Sequence, residues 1–340
     1  MAIGAARSKI FIMVLNCSRR SVLAYTAAAC AVSSTATFAQ GATSPLRLLV
    51  GFPPGGATDI LARQVARQMT GFSAVIIENR PGAGSRIAVE ATVRAKPDGL
   101  TGLVTPDFSL TLLPHLYRKL AYDPLKDLAP VAMCATSETA LAVGPSVPAE
   151  IKTVKAFLQW AQTTPGQAMF ASPSPGSTPH FTGVMLAQSA KAQLTHVAYK
   201  GGAQALQDLM GGQVPASFNP VGELLPQLAS GKLRVLATSG SKRSPFMPDV
   251  STFVESGYRD VVVESWIGMF APSGTPDAAL DAMARSASDA LRSKAVAEGF
   301  AKFGLSVAPP VTRQRMAAIV REDLARWSSV VTSSGFSIEE

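Results

Sequence analysis

Three times in this chain a short apolar run breaks into a loop rich in Gly, Ser or Thr and resumes as a helical pattern, and this recurrence narrows the possible folds more than any other feature. RLLVGF (47–52) reads as a strand; after Gly51-Phe52-Pro53-Pro54-Gly55-Gly56-Ala57-Thr58-Asp59 comes a helix whose Ile60, Leu61, Val65 and Met69 share one face and stop at Gly71. AVIIE (74–78) runs into Arg80-Pro81-Gly82-Ala83-Gly84-Ser85, a helical stretch to Ala95 and the turn Lys96-Pro97-Asp98-Gly99. AMFAS (168–172) runs into Ser172-Pro173-Ser174-Pro175-Gly176-Ser177-Thr178-Pro179-His180. Strand, loop, helix and strand in this order predict parallel sheets of the α/β class.

The alternation continues. Ile151, Val154, Leu158 and Ala161 mark a helix face, as do Phe181, Val184, Met185 and Gln188. THVAY (195–199), a helix from Ala203 to Met210, VPASF (214–218), LRVLATS (233–239) and a largely helical tail from Pro276 to Ser333 follow. At 340 residues the chain has room for two domains of ordinary size.

Residues 18–40 set two arginines before an Ala-rich run that ends in small residues, the order of an export signal cleaved after Ala39. Arg19-Arg20 with Ser21, Val22 and Leu23 is similar to a twin-arginine signal. Lipidation at Cys30 is the alternative, and Met13 is a second candidate start. Ser33, Ser34, Thr35 and Thr37 dilute the run too far for a comfortable membrane span. Cleavage would leave Cys134 without a disulfide partner, as a small buried hydrophobe. The formal charge of +8 does not point to nucleic acid, because half of the excess (Arg7, Lys9, Arg19 and Arg20) lies ahead of residue 40 and the other basic residues are interspersed with acids.

Gly-rich connections at strand ends present unpaired backbone N–H groups at a helix N-terminus, which suits an anion. Tyr199-Lys200-Gly201-Gly202 is a fourth, shorter example. None matches a nucleotide motif: Gly82-x-Gly84 has Ile87 where a third glycine belongs, and no Gly-Lys-Ser/Thr occurs. The three histidines, 115, 180 and 196, come with no nucleophile elbow and no metal-ligand spacing, so neither catalysis, a metal nor a cofactor is expected. His180 follows Thr178 in a first helical turn, where it lines a ligand or fixes the helix end. Asp59 is open between stabilising its helix and orienting the loop.

GFPPGGATD, IIENRPGAGSRIA, AKPDGLTGL, LYRKLAYDPLKDLAPVA, GSTPHF, HVAYKGGAQALQDLMGGQV, GKLRVLATS, RSPFMPDVSTF and FAPSGTP resemble, in order and over essentially the whole chain after the signal, the Bug (TctC-like) solute-binding proteins of tripartite tricarboxylate transport. The resemblance implies a type II periplasmic binding protein with a cleft between two doubly wound lobes. Residues 1–39 would be the signal, 40–144 and 267–340 one lobe and 145–266 the other, with crossings near Ala142 to Ser146 and Trp266 to Ala271. It implies a monomer that holds a small organic carboxylate through backbone N–H groups and delivers it to membrane permease subunits, or reports it to a sensor kinase. The matching positions are Phe52, Gly55, Gly56, Ala57, Thr58 and Asp59, with Gly84 in the second loop, and Ser177, Thr178, His180, Gly201 and Asn219 opposite. The chain departs from the family at Pro173 and Pro175, and at Asn219, where an acid is common. Without that acid an ammonium lacks its counter-charge, so a carboxylate without an amine is expected.

Overall fold

The structure is a computed structural model and describes residues 44–338; the expected export signal lies outside them. Strand β1 (Leu46–Val50) pairs in parallel with β2 (Val75–Asn79) and with β3 (Thr101–Pro106). Helix α1 (Ala57–Gln68) joins β1 to β2, and α2 (Arg86–Val93) joins β2 to β3. In β1, Leu48 and Leu49 point to opposite faces and both are buried, which is why this strand reads as an apolar run without alternation. Leu61, Ala62 and Val65 of α1 pack on one face with Val50 and Met269, while Leu49, Val89, Leu103 and Phe270 pack on the other.

Two short helices, α3 (Phe108–Thr111) and α4 (Leu113–Leu116), lead into β4 (Leu128–Val143). Then come α5 (Val154–Thr163), β5 (Met169–Ser172), α6 (Thr178–Ser189), β6 (Thr195–Ala198), α7 (Gly202–Met210), β7 (Ala216–Pro220), α8 (Val221–Leu228) and β8 (Arg234–Thr238). Strand β9 (Glu264–Pro272), α9 (Asp277–Leu291), α10 (Lys294–Ala301), β10 (Ser306–Val307) and α11 (Arg313–Ser334) complete the order.

The ten strands form one sheet, β2-β1-β3-β9-β4-β7-β5-β6, with β8 and β10 also paired to β4. Strand β4 changes partners along its length. Residues 128–138 run antiparallel to β9, whereas residues 139–143 run antiparallel to β7 and β8. The second stretch has its own core, in which Val143, Phe157, Phe170, Phe218 and Phe253 meet on one face and Leu206, Leu209 and Leu224 on the other. Strands β3, β4 and β9 and helix α8 are absent from the sequence-based expectation, and all of them reach the cleft described next.

Candidate functional site

A cleft of about 570 Å³ lies where β4 changes partners, floored by Ser137, Glu138 and Thr139 of β4 and by Ser265, Trp266 and Ile267 of β9. This is within the range that encloses a small molecule. On one wall stands the start of α1. Gly56, its N-cap, has extended φ/ψ of −73° and 161° and no side chain to close the helix, so the first-turn N–H groups receive no side-chain cap there. Phe52, Gly56, Ala57 and Thr58 all line the cleft.

Asp59 and Gly55 do not line it. Asp59 Oδ2 accepts from the Gly55 N–H and from Arg63 Nε, both at 2.9 Å, and Oδ1 accepts from Asn79 Nδ2 at 2.7 Å. Asn79 Nδ2 also donates to the Phe52 carbonyl at 2.9 Å. Burial opposes ionisation of Asp59, but the bonds from Arg63, Gly55 and Asn79 outweigh it and hold the carboxyl below its ordinary range. Asp59 therefore fixes the loop, and Gly55 contributes φ = +86°, which a glycine adopts without strain.

Gly84 also lies behind the cleft. Its neighbour Ser85 bonds Thr105, its carbonyl accepts from Ser109 Oγ at 2.9 Å, and a side chain at Gly84 would meet Phe108 and Leu113. Ser85 also rests against Gly51, where even a methyl group would overlap it, and in this way the second loop buttresses the first.

Across the cleft, Ser177 and Thr178 begin α6. Ser177 Oγ accepts from the His180 N–H at 3.4 Å and donates to the Ser174 carbonyl at 2.6 Å. Pro173 and Pro179 give rigid wall without donors. His180 points away: its Nδ1 accepts from the Gly176 N–H at 3.1 Å, and its ring stacks on His196 with centroids 3.8 Å apart. His196 Nε2 lies 2.7 Å from Ser172 Oγ. Burial pulls His180 down to about 3, aided by His196, and pulls His196 down to about 4, so both rings are neutral at pH 7. His180 thus sits at the start of α6, away from the residues that line the cleft.

Gly201 and Asn219 do not line the cleft either. The Gly201 N–H is taken by the Pro173 carbonyl at 2.7 Å. Asn219 is buried in β7, where it accepts from Ser217 Oγ and gives its Nδ2 to Glu223 Oε2 at 2.9 Å.

Three acids line the cleft that sequence reasoning missed: Asp107, Glu138 and Glu223. Asp107 is buried beyond β3, with Oδ1 bonded to the Phe108 N–H at 2.8 Å and Oδ2 unpartnered. Burial, with Asp323 beside it, pushes its carboxyl up to about 7. Glu138 is half-buried in β4 and raised by burial and by Glu264. Glu223, in the first turn of α8, is open to the cleft but crowded by protein elsewhere, and this crowding raises it against the bond from Asn219. No Lys, Arg or His is among the described residues lining the cleft. Phe52, Phe108, Trp266, Ile267, Phe303 and Leu305 make much of the remaining wall. Phe52 and Phe108 meet edge to face at 6.4 Å.

Comparison with known proteins adds an independent line. Residues 61–336 match the tripartite tricarboxylate transporter family receptor. Protein BugT of Bordetella pertussis is 33% identical over 304 residues, covering 87% of this chain and 90% of BugT. Among solved structures, periplasmic binding protein BugD superposes with a TM-score of 0.73 at 28% identity, covering 87% of this chain and 99% of BugD. MatC from Rhodopseudomonas palustris, solved with bound malate, gives 0.72 at 30% identity, covering 85% and 99%. Rpa4515 from R. palustris, solved with adipate, gives 0.75 at 28%, covering 87% and 98%. The shared architecture is the two-lobed α/β periplasmic binding fold.

Proposed function

Because the chain belongs to the tripartite tricarboxylate transporter receptor family, we propose that it captures a small organic carboxylate outside the cytoplasmic membrane and delivers it to the membrane subunits of a transporter of that type. The observation that carries this reading is the uncapped start of α1 opening into a cleft where no cationic side chain is found among the described lining residues. A carboxylate there is held by the first-turn N–H groups and by the positive end of the helix. Malate in MatC and adipate in Rpa4515 support the class.

In this reading Phe52, Gly56, Ala57 and Thr58 bind from one lobe and Ser177 and Thr178 from the other, while Gly55, Asp59, Gly84, His180, Gly201 and Asn219 support them from behind. The lobes meet where β4 passes from β9 to β7 and β8, at Glu138 and Thr139, and the ligand sits against that junction. Closure around this point would shut the cleft and present a changed surface to the permease. In this reading the chemistry asks for no catalyst, and the described residues that line the cleft supply donors and apolar walls.

The test is a thermal-shift and calorimetric screen of the chain from Gln40 against mono-, di- and tricarboxylates, amino acids and neutral sugars. Ligand at about 100 times its Kd adds about 2.7 kcal/mol of stability. A rise confined to carboxylate-bearing solutes supports the reading; a rise only with neutral solutes, or with none, overturns it.

A further inference from the structure

Glu223 is the acid of the cleft that solvent reaches most freely. Its position is built: Asn219, itself buried and oriented by Ser217, donates to Oε2 at 2.9 Å, and the carboxylate rests against Gly202, the first residue of α7, where even a methyl group would overlap it. The carboxylate thus lies beside the start of α7, whose N-cap Gly201 has no side-chain hydrogen bond. Among the described residues, no arginine or lysine lines the cleft beside Glu223.

The absence of an acid at position 219 suggested a ligand without an amine. The structure removes the premise, because Asn219 is a buried support in β7 and its partner Glu223, in the first turn of α8, brings a carboxylate to the cleft. A ligand with a carboxylate at each end would set its second charge in the same confined cleft as an unpaired anion. A ligand with a cation at that end would give Glu223 the partner that it lacks.

We infer that Glu223 determines specificity, selecting a carboxylate whose far end carries a positively charged nitrogen and rejecting dicarboxylates. This rests on the proposed capture of a carboxylate at α1.

The experiment is calorimetry on the parent chain and on Glu223→Gln with unbranched ω-amino carboxylates, α,ω-dicarboxylates and plain monocarboxylates of matched length. The amide keeps the size and an acceptor for Asn219, and its unfolding midpoint checks the fold. The parent should bind the ω-amino series at least about tenfold more tightly than the dicarboxylates. Glu223→Gln should weaken the ω-amino series about tenfold, strengthen the dicarboxylates by a similar factor and leave monocarboxylates within about threefold. Equal ratios in both proteins, with monocarboxylates still bound, would overturn the role of Glu223 and leave carboxylate capture standing. Binding of no carboxylate by either protein would overturn both.

Discussion

Replacing Ala57 with proline tests the site at a single atom. Ala57 is the first residue of α1, where proline is well accommodated because that N–H has no partner inside the helix. The preceding Gly56 already has the extended conformation that proline requires of its neighbour. The substitution deletes a donor without breaking the helix, and the ligand-free unfolding midpoint should move by less than about 2 °C. If that N–H bonds the carboxylate, its loss costs about 1.5–3 kcal/mol, the range for bonds to charged groups. At 1.4 kcal/mol per factor of ten, Kd should rise about 10- to 150-fold. Ala57→Val adds comparable bulk and keeps the N–H, so it separates the lost donor from crowding. The assay is isothermal calorimetry with the tightest carboxylate from the screen. An Ala57→Pro protein that folds normally and binds within about threefold of the parent would refute capture by the α1 N-terminus.

Other features give sharp expectations. His180 and His196 are neutral when folded and titrate near 6.5 when unfolded, so the unfolded chain binds more protons below that pH and stability falls as pH drops from 6.5 toward 4. At pH 5 each imidazole costs about 2 kcal/mol. Asp107, raised to about 7, acts with the opposite sign, so the histidine effect is read as the difference between parent and His196→Asn in urea unfolding at pH 7 and pH 5; no change in that difference would refute it. Asp59→Ala removes the acceptor of the Gly55 N–H and one partner each of Asn79 and Arg63 and should cost about 2–4 kcal/mol in urea unfolding, a loss under about 0.5 kcal/mol being incompatible with a pinned loop. Cys134 is fully buried, with its thiol pushed up to about 12 by that burial; it should resist thiol reagents in the native protein and react fully in denaturant.

The parallel units were legible because their strands are short apolar runs bounded by glycine loops, and β1, β2, β5, β6 and β7, together with the antiparallel β8, fall within a residue or two of the runs read from sequence. Strands β4 and β9 were not. Much of β4 is buried on both faces, so its sequence, LAPVAMCATSETALAV, shows no alternation and passes for an apolar stretch of any kind. A strand that serves two neighbouring sets of partners has no local signature at all, because the exchange at Glu138 and Thr139 is decided by tertiary pairing. Helix α8 has only eight residues and an internal Pro226, too little for a periodic signal.

The missed acids follow from those missed elements. Asp107, Glu138 and Glu223 sit at the end of β3, in the middle of β4 and in the first turn of α8, so a reading that leaves out these elements has nowhere to put them. The loops that were found supplied donors, and a site built from donors alone describes how an anion is held but not what else the ligand carries. Asn219 shows the limit of reading positions one at a time. Taken singly it is a lost charge; in the fold it is the hydrogen-bond donor that orients the charge four residues later, a relation carried by the turn from β7 into α8 and visible once that turn is known. The polarity of the far end of the cleft is therefore a property of the pair Asn219 and Glu223, and removing the donor tests it: Asn219→Ala frees the Glu223 carboxylate from its orienting bond and should lower the ω-amino to dicarboxylate affinity ratio, whereas a ratio equal to the parent's would show that Glu223 acts without its partner.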